Sequence, residues 1–311
     1  MFAISERRKR LSVAELVPVL ARRILADVEP QERLPTVRGL ASQLHSSPAS
    51  IHAAVARLEE AGAIGVETRG RSGAFLVAKS TGRLWALAQG SPLVIALPLA
   101  SSPRYEALAT AIKHLLTSTG FEVFLIFVRG SRQRLEAVHA GRSHLTVMSR
   151  FAADELDVPE DAIVAELHPR SYNTGHRVFY VGDRADATPL RLIVDRYSAD
   201  QQLLTNLEFD GRNVTHVPAM TAQIARLLQE GWADAAVWTV DEMETRRPAG
   251  VLDRPLSAST LERIGDRDTR AVLVGVAGQA RILRRVTAAL DPNDVERVQL
   301  DVMAGRTVPE Y

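Results

Sequence analysis

From Leu93 onward, short apolar runs are each followed at once by residues that can bind an anion. Ser101 and Ser102 follow the first run, Arg129-Gly130 the second and Ser149-Arg150 the third. Farther on, Asp195-Arg196-Tyr197-Ser198 and Trp238-Thr239 close two more. If the runs are strands and helices come next, these residues stand at strand carboxyl ends, where open α/β sheets hold ligands. Ser101 and Ser102 then open a helix, a ready anion site, with Tyr105 one turn in. Three Arg and several hydroxyls on one cleft suit a small carboxylate or phosphate. The alternative is that these Arg pair with Asp195, Asp200 or Glu106 and fasten the structure.

A second chemistry is written between Arg33 and Val77. Val37 to Leu44 predict a short helix with Val37, Leu40, Ala41 and Leu44 on one face, and His45-Ser46-Ser47 a turn. Ser47 is placed to cap a second helix and Pro48 to occupy its first position. Ile51, Val55 and Leu58 repeat at helical spacing, and Gly62 ends the run. Ile64 to Thr68 and Ala74 to Val77 read as strands. The joining loop, Arg69-Gly70-Arg71-Ser72-Gly73, is basic and able to lie along a phosphate backbone. This order is a winged helix-turn-helix, whose second helix reads base edges in the major groove while the wing holds phosphates. Through LPTVRGLASQL, SSPASIHAAVARLEEAGAI and RGRSGAFLV the segment resembles the GntR-type winged helix. That resemblance implies a backbone contact for Arg38, recognition positions at Ser47, Pro48, Ala49, Ser50 and His52, and the wing glycine at Gly73. The family usually carries Arg where Pro48 and His52 stand, so direct guanine readout by Arg is weakened here.

Charge and composition agree with two jobs. Apolar residues make up 46% of the 311, enough for a sizeable core, and the length predicts two domains or slightly more. The net charge of +1 conceals an asymmetry: residues 1–80 hold twelve Lys and Arg against eight Asp and Glu, whereas the remainder is slightly acidic. The basic excess therefore falls on the DNA-binding segment. Arg7-Arg8-Lys9-Arg10 is a further basic run, read either as a DNA-touching arm or as a solvated one. With no Cys, disulfides, thiolate catalysis and Cys zinc sites are excluded. Schiff-base chemistry needs a Lys, and Lys9, Lys79 and Lys113 all lie away from the strand ends. No P-loop and no nucleophile elbow is present, and the eight His are scattered without metal spacing. No enzyme, cofactor or metal is expected.

The elements that must carry these residues can be read in order. Ser12 to Glu15 fits a capping box for a first helix with Leu16, Leu20 and Ile24 on one stripe; Pro18 requires a start near Val17 or a bend. Lys79 to Pro92 reads as a connection, although Leu84, Trp85 and Leu87 are apolar enough to require docking. From Leu93, strands alternate with helices through HLTVMS, RVFYVG reads as a crossing strand, and a second α/β set begins at Leu190 and ends with ADAAVWTV. AVLVGV and the last helices return to the first set. Alternation of this kind predicts parallel sheets. Two lobes, a crossing and a late return are the layout of a type 2 periplasmic-binding-protein domain.

Across nearly its whole length the chain resembles the YhfZ family of transcriptional regulators, which join a GntR-like winged helix to a periplasmic-binding-protein-like domain. LEEAGAI and RGRSG carry the resemblance in the first domain; LPLASSPRYEALATAIK, RGSRQRLEAVHAG, VMSRFAA, DRYSADQQLLT, ADAAVWTV and VPEY carry it in the second. The resemblance implies a ligand-sensing regulator without naming its effector.

The resulting expectation is an α+β winged helix over residues 1–80, a linker over 81–92 and a two-lobed α/β domain over 93–311. The first lobe takes about 93–182 and 271–311, the second about 190–265. The chain is expected to be a cytoplasmic homodimer that binds double-stranded operator DNA and a small, anionic effector, with no membrane span. A DNA-binding protein whose second domain only dimerises is the alternative, followed by an enzyme on the same fold.

Overall fold

The structure, a computed structural model, describes residues 10–182 and 187–311. Arg7, Arg8 and Lys9 of the basic run lie outside the described residues. The chain forms two compact units. One comprises the segment up to Leu93 with Leu116–Phe124 and Arg281–Ala289; the other comprises Val94–Leu115, Leu125–Ala280 and Leu290–Tyr311.

In the first unit, helix α1 spans Val13–Asp27 and starts on the capping box: Ser12 accepts from Glu15 N while the Glu15 carboxylate takes Ser12 N. The helix passes through Pro18 without stopping. The carbonyl that loses its donor there belongs to Ala14, an exposed residue. Helices α2 (Val37–Gln43) and α3 (Pro48–Glu60) follow, joined through His45 at φ 50° and capped by Thr36 and Ser47. Leu40, Ala41, Ile51, Ala54 and Leu58 are buried, whereas Val55 is only half-buried. Strands β1 (Ile64–Thr68) and β2 (Ala74–Lys79) pair antiparallel.

The stretch from Lys79 to Pro92 is largely a helix, α4 (Thr81–Gln89), with Leu84 and Trp85 buried. Trp85 meets Phe121 edge-on at 6.4 Å. Lys79 anchors the helix entrance by donating to the carbonyls of Leu25 and Val28 and to Glu29. Burial lowers its pKa, a shift that the Glu29 carboxylate opposes.

The second unit is built around two five-stranded sheets. One is ordered β4 (Val123–Phe127), β3 (Leu93–Leu97), β5 (Leu145–Ser149), β12 (Ala271–Gly275), β6 (Ile163–Glu166). The other is ordered β11 (Val251–Pro255), β7 (His176–Val181), β10 (Ala235–Thr239), β8 (Leu190–Val194), β9 (Val214–Pro218). β3 runs parallel to β5, and β8 runs parallel to both β9 and β10. β12 and β7 are each inserted antiparallel, β12 between β5 and β6, β7 between β10 and β11. These insertions fix where the lobes divide. β7 is a full member of the second sheet, so the second lobe begins at His176, not near 190. The edge strands β6 and β11 escape a sequence reading because an edge needs only one partner and tolerates short, polar runs such as VLDRP.

Helices pack on the sheets where their apolar faces dictate: α5 (Pro103–Ser118) buries Leu108, Ile112 and Leu116, and α8 (Ala199–Glu208) buries Leu204. α6 (Ser131–His139), α7 (Arg150–Glu155) and α10 (Val240–Glu244) each begin directly after a strand or its loop. Among the described residues no helix is long and apolar enough to cross a membrane.

Candidate functional site

A cavity of about 330 Å³ opens at the carboxyl ends of the strands of both sheets in the second unit. Segments following β3, β4, β8, β9 and β10 supply most of its wall; Tyr172, Asn173 and His176, on the crossing between lobes, supply the rest.

Of the residues expected from sequence, Ser101, Tyr105, Arg129, Gly130, Asp195, Ser198, Trp238 and Thr239 line it. Ser102, Ser149, Arg150 and Arg196 do not, and each has a local reason. Ser102 is buried, its hydroxyl 3.4 Å from Tyr105 N in the first turn of α5. Ser149 is buried and caps α7 through Ala152 N. Arg150 is spent on a carboxylate cluster, reaching Asp154 at 2.8 Å, Glu160 at 2.9 Å and Glu166 at 3.1 Å. Arg196 is exposed and lies over the Tyr197 ring.

Arg129 takes the fastening role that was the alternative reading. Its guanidinium binds Asp195 at 2.7 Å, joining the two lobes, and stacks on Tyr197. Asp195 also accepts from the backbone N–H groups of Tyr197 and Thr221. Further bridges cross between the lobes: Ser101 donates to Glu242, Ser149 to Asp200 at 2.5 Å, and Arg104 to Asp241 at 2.9 Å.

Six wall residues of evident chemical weight lie off the strand ends: Arg134, Tyr172, His176, Asp200, Glu242 and Arg246. Arg134 projects from α6 and is only 3% exposed. It donates to the carbonyls of Val147 and Val128 and to the Tyr172 hydroxyl, at 2.9–3.0 Å. Glu242, in the first turn of α10, accepts from Ser101 and from Thr239 at 3.1 Å. His176 pairs with Asp268 at 2.7 Å, both buried. The sequence signal available for Asp200 and Glu242 was their place in the first turn of a helix that follows a strand.

Burial raises the pKa of Asp200 and of Glu242, against the hydroxyls and His176, which favour their ionised forms. Burial alone would lower His176, but the hydrogen bond and charge of Asp268 outweigh it and the net shift is upward. Burial also raises Tyr105 and Tyr172. Linkage then sets a direction. The stabilisation from His176 is complete below its ordinary 6.5 and is lost as pH rises through its raised folded value. The penalty at Asp200 and Glu242 is absent below the ordinary carboxylate range and complete only above their raised values. All three effects lower stability as pH rises, Asp200 and Glu242 from the ordinary carboxylate range to their raised values and His176 from 6.5 upward, while His144, whose pKa burial lowers, acts in the opposite direction below 6.5. The melting temperature of the wild type should fall relative to that of Glu242→Gln as pH rises above the ordinary carboxylate range; a difference that stays constant with pH would contradict the assignment.

In the first unit the proposed DNA-facing residues divide similarly. Arg38 and Arg71 are exposed and form no ion pair among the described residues; Ala49, His52 and Ser72 are exposed as well. Ser47 and Ser50 bond to one another at 2.8 Å in the cap of α3. Arg69 is held within the hairpin by Glu67 at 2.7 Å and by the Phe75 ring. Gly73 has φ 95°, a conformation for which glycine is suited at the hairpin turn.

Two α/β lobes joined by crossing strands, with a polar cavity at their strand ends, resemble the fold of the type 2 periplasmic binding proteins. A structural likeness supports the fold: the ligand-binding component of an ABC-type import system from Staphylococcus aureus, solved with zinc bound, matches with TM-score 0.50 and 14% identity over 71% of this chain and 80% of its own. Within that architecture the chain belongs to the YhfZ family, since residues 81–311 match the YhfZ C-terminal domain. YhfZ of Escherichia coli (strain K12) is 28% identical over 298 residues, 95% of this chain and 96% of its own length. The crystal structure of YhfZ from Shigella flexneri is similar with TM-score 0.59 and 26% identity, over 71% of this chain and 93% of that one.

Proposed function

We propose that this protein is a ligand-responsive DNA-binding regulator: a winged helix over its first three helices and β-hairpin binds operator DNA, and the cavity between the α/β lobes senses a small metabolite. The observation that carries the DNA half is the pair Arg38 and Arg71. They stand exposed, with no carboxylate partner among the described residues, on α2 and on the hairpin tip, the elements from which this motif contacts phosphates. The cavity carries the sensing half. It is walled by charged and hydroxyl groups and lined by neither Lys nor Cys, which fits binding and release better than covalent turnover. A domain that only dimerises has no use for such a wall. The active form is a homodimer acting in the cytoplasm, so that two winged helices meet two half-sites. Ligand that prefers one lobe arrangement changes DNA affinity by about 5–150-fold.

The test begins with DNA. Selection of bound duplexes from a random library should yield a preferred sequence. Arg38→Ala and Arg71→Ala should each weaken that complex and flatten its log–log salt dependence by about 0.9 for each phosphate no longer neutralised. Affinity and slope equal to wild type in both variants would remove the proposed interface.

A further inference from the structure

The charges of the cavity wall do not all pair with one another. Asp195 is neutralised by Arg129. Asp200 and Glu242 have no such contact: they are 6% and 8% exposed, and among the described residues neither belongs to an ion pair, although the charges of His176 and Arg134 act on Asp200, and those of Arg246 and His176 on Glu242, from a distance. Their partners are neutral hydroxyls, Ser149 for Asp200 and Ser101 and Thr239 for Glu242. Hydroxyls satisfy lone pairs without cancelling a charge. Arg134 has the opposite sign and the same condition. Its partners are two backbone carbonyls and a phenol, and it too makes no ion pair among the described residues. Those bonds use three of its five N–H groups, leaving one on each terminal nitrogen. A buried cation with a free pair of donors and two buried carboxylates thus face one space of about 330 Å³.

Unpaired buried charge is costly to keep, and it persists where another charge completes it. A plain anion answers Arg134 but adds like charge beside Asp200 and Glu242. A plain amine answers the carboxylates and leaves Arg134. We infer that the cavity binds a zwitterion of the amino-acid class, its carboxylate on Arg134 and its ammonium on Glu242 and Asp200. This assignment rests on reading the cavity as a ligand site. It revises the expectation of a simply anionic effector, which counted the Arg residues at the strand ends and missed the carboxylates in the first turns of the helices that follow. The cavity volume is at the small end of the range for ligand pockets, in keeping with a single amino acid.

Calorimetric titration of the full chain tests it, with the twenty standard L-amino acids, inorganic phosphate and succinate as probes. Each amino acid that binds is followed by its des-amino acid and its decarboxylated amine. An amino acid should bind, and each half-analogue should be weaker by at least about 100-fold, because each leaves one buried charge unanswered. Glu242→Gln should weaken the amino acid by a similar factor while the des-amino acid binds no worse. Asp200→Asn is the second variant should the first fail to fold. Equal affinity for amino acid and des-amino acid, or binding of phosphate or succinate alone, overturns the zwitterion and leaves the sensor reading standing. Failure of every probe with folded protein overturns both.

Discussion

Gly130→Ala should lower affinity for the cavity ligand by about 100-fold while both lobes stay folded. Gly130 precedes α6 with φ 76° and ψ 138°, outside the regions open to other L residues. Space is the larger obstacle. A Cβ there would lie 2.3 Å from the carbonyl oxygen of Tyr197 and 2.8 Å from its carbonyl carbon. These are backbone atoms of the other lobe and have no rotamer to escape into. The lobes must separate locally, and the Arg129–Asp195 bridge at 2.7 Å beside the contact must stretch or break. Backbone strain of about 1–3 kcal/mol and loss of the bridge together disfavour the closed form by roughly 3 kcal/mol. Apparent affinity falls with the fraction of competent protein, so this corresponds to about two orders of magnitude. Titration with the tightest-binding amino acid, beside a circular dichroism spectrum, checks both halves. Wild-type affinity would show that ligand binds without the close approach of Gly130 to Tyr197.

Gly82→Ala should be strongly destabilising, although alanine is ordinarily the better helix residue. In α4 the added Cβ would meet the carbonyl carbon and oxygen of Gly120 at 2.1 Å and the nitrogen of Phe121 at 2.5 Å. Nothing short of moving the helix or the turn relieves this, and either movement uncouples Trp85 from Phe121. Overpacking against rigid backbone in a buried position costs about 3 kcal/mol or more, a fall in Tm of roughly 6–12 °C for a domain of this size. Gly278→Ala, where an added Cβ meets nothing within 4 Å, serves as the neutral control. Equal melting temperatures for Gly82→Ala and the control would show that α4 is not held against the Gly120 turn.

The two changes look alike in sequence, and no local pattern separates Gly82 and Gly130 from Gly278. Gly82 lies in a run read as a connection, and Gly130 in one read as an anion loop. What distinguishes them is a backbone distant in sequence, Gly120 in one case and Tyr197 in the other. The same holds for the arginines. Arg129 and Arg150 both follow a strand, yet Arg150 finds Asp154 one turn ahead together with Glu160 and Glu166, while Arg129 meets Asp195 across the cleft.

The sequence alone determined what is local or periodic. Caps at Ser12 and Ser47 follow from a side chain reaching backbone three residues on. The two α/β lobes follow from alternation of apolar strands and helices, and the rule of strand ends then located part of one cavity wall. Tertiary structure decided the rest: the place of β7 in the second sheet, the edge strands β6 and β11, and the meeting of Arg134, His176, Asp200 and Glu242 around one space. The reason is physical. Hydrogen-bonded caps and hydrophobic periodicity act over a few residues and leave a local signature. Strand pairing and the balance of buried charge depend on groups brought together from distant parts of the chain, and that balance turned an anion site into a site for both signs of charge.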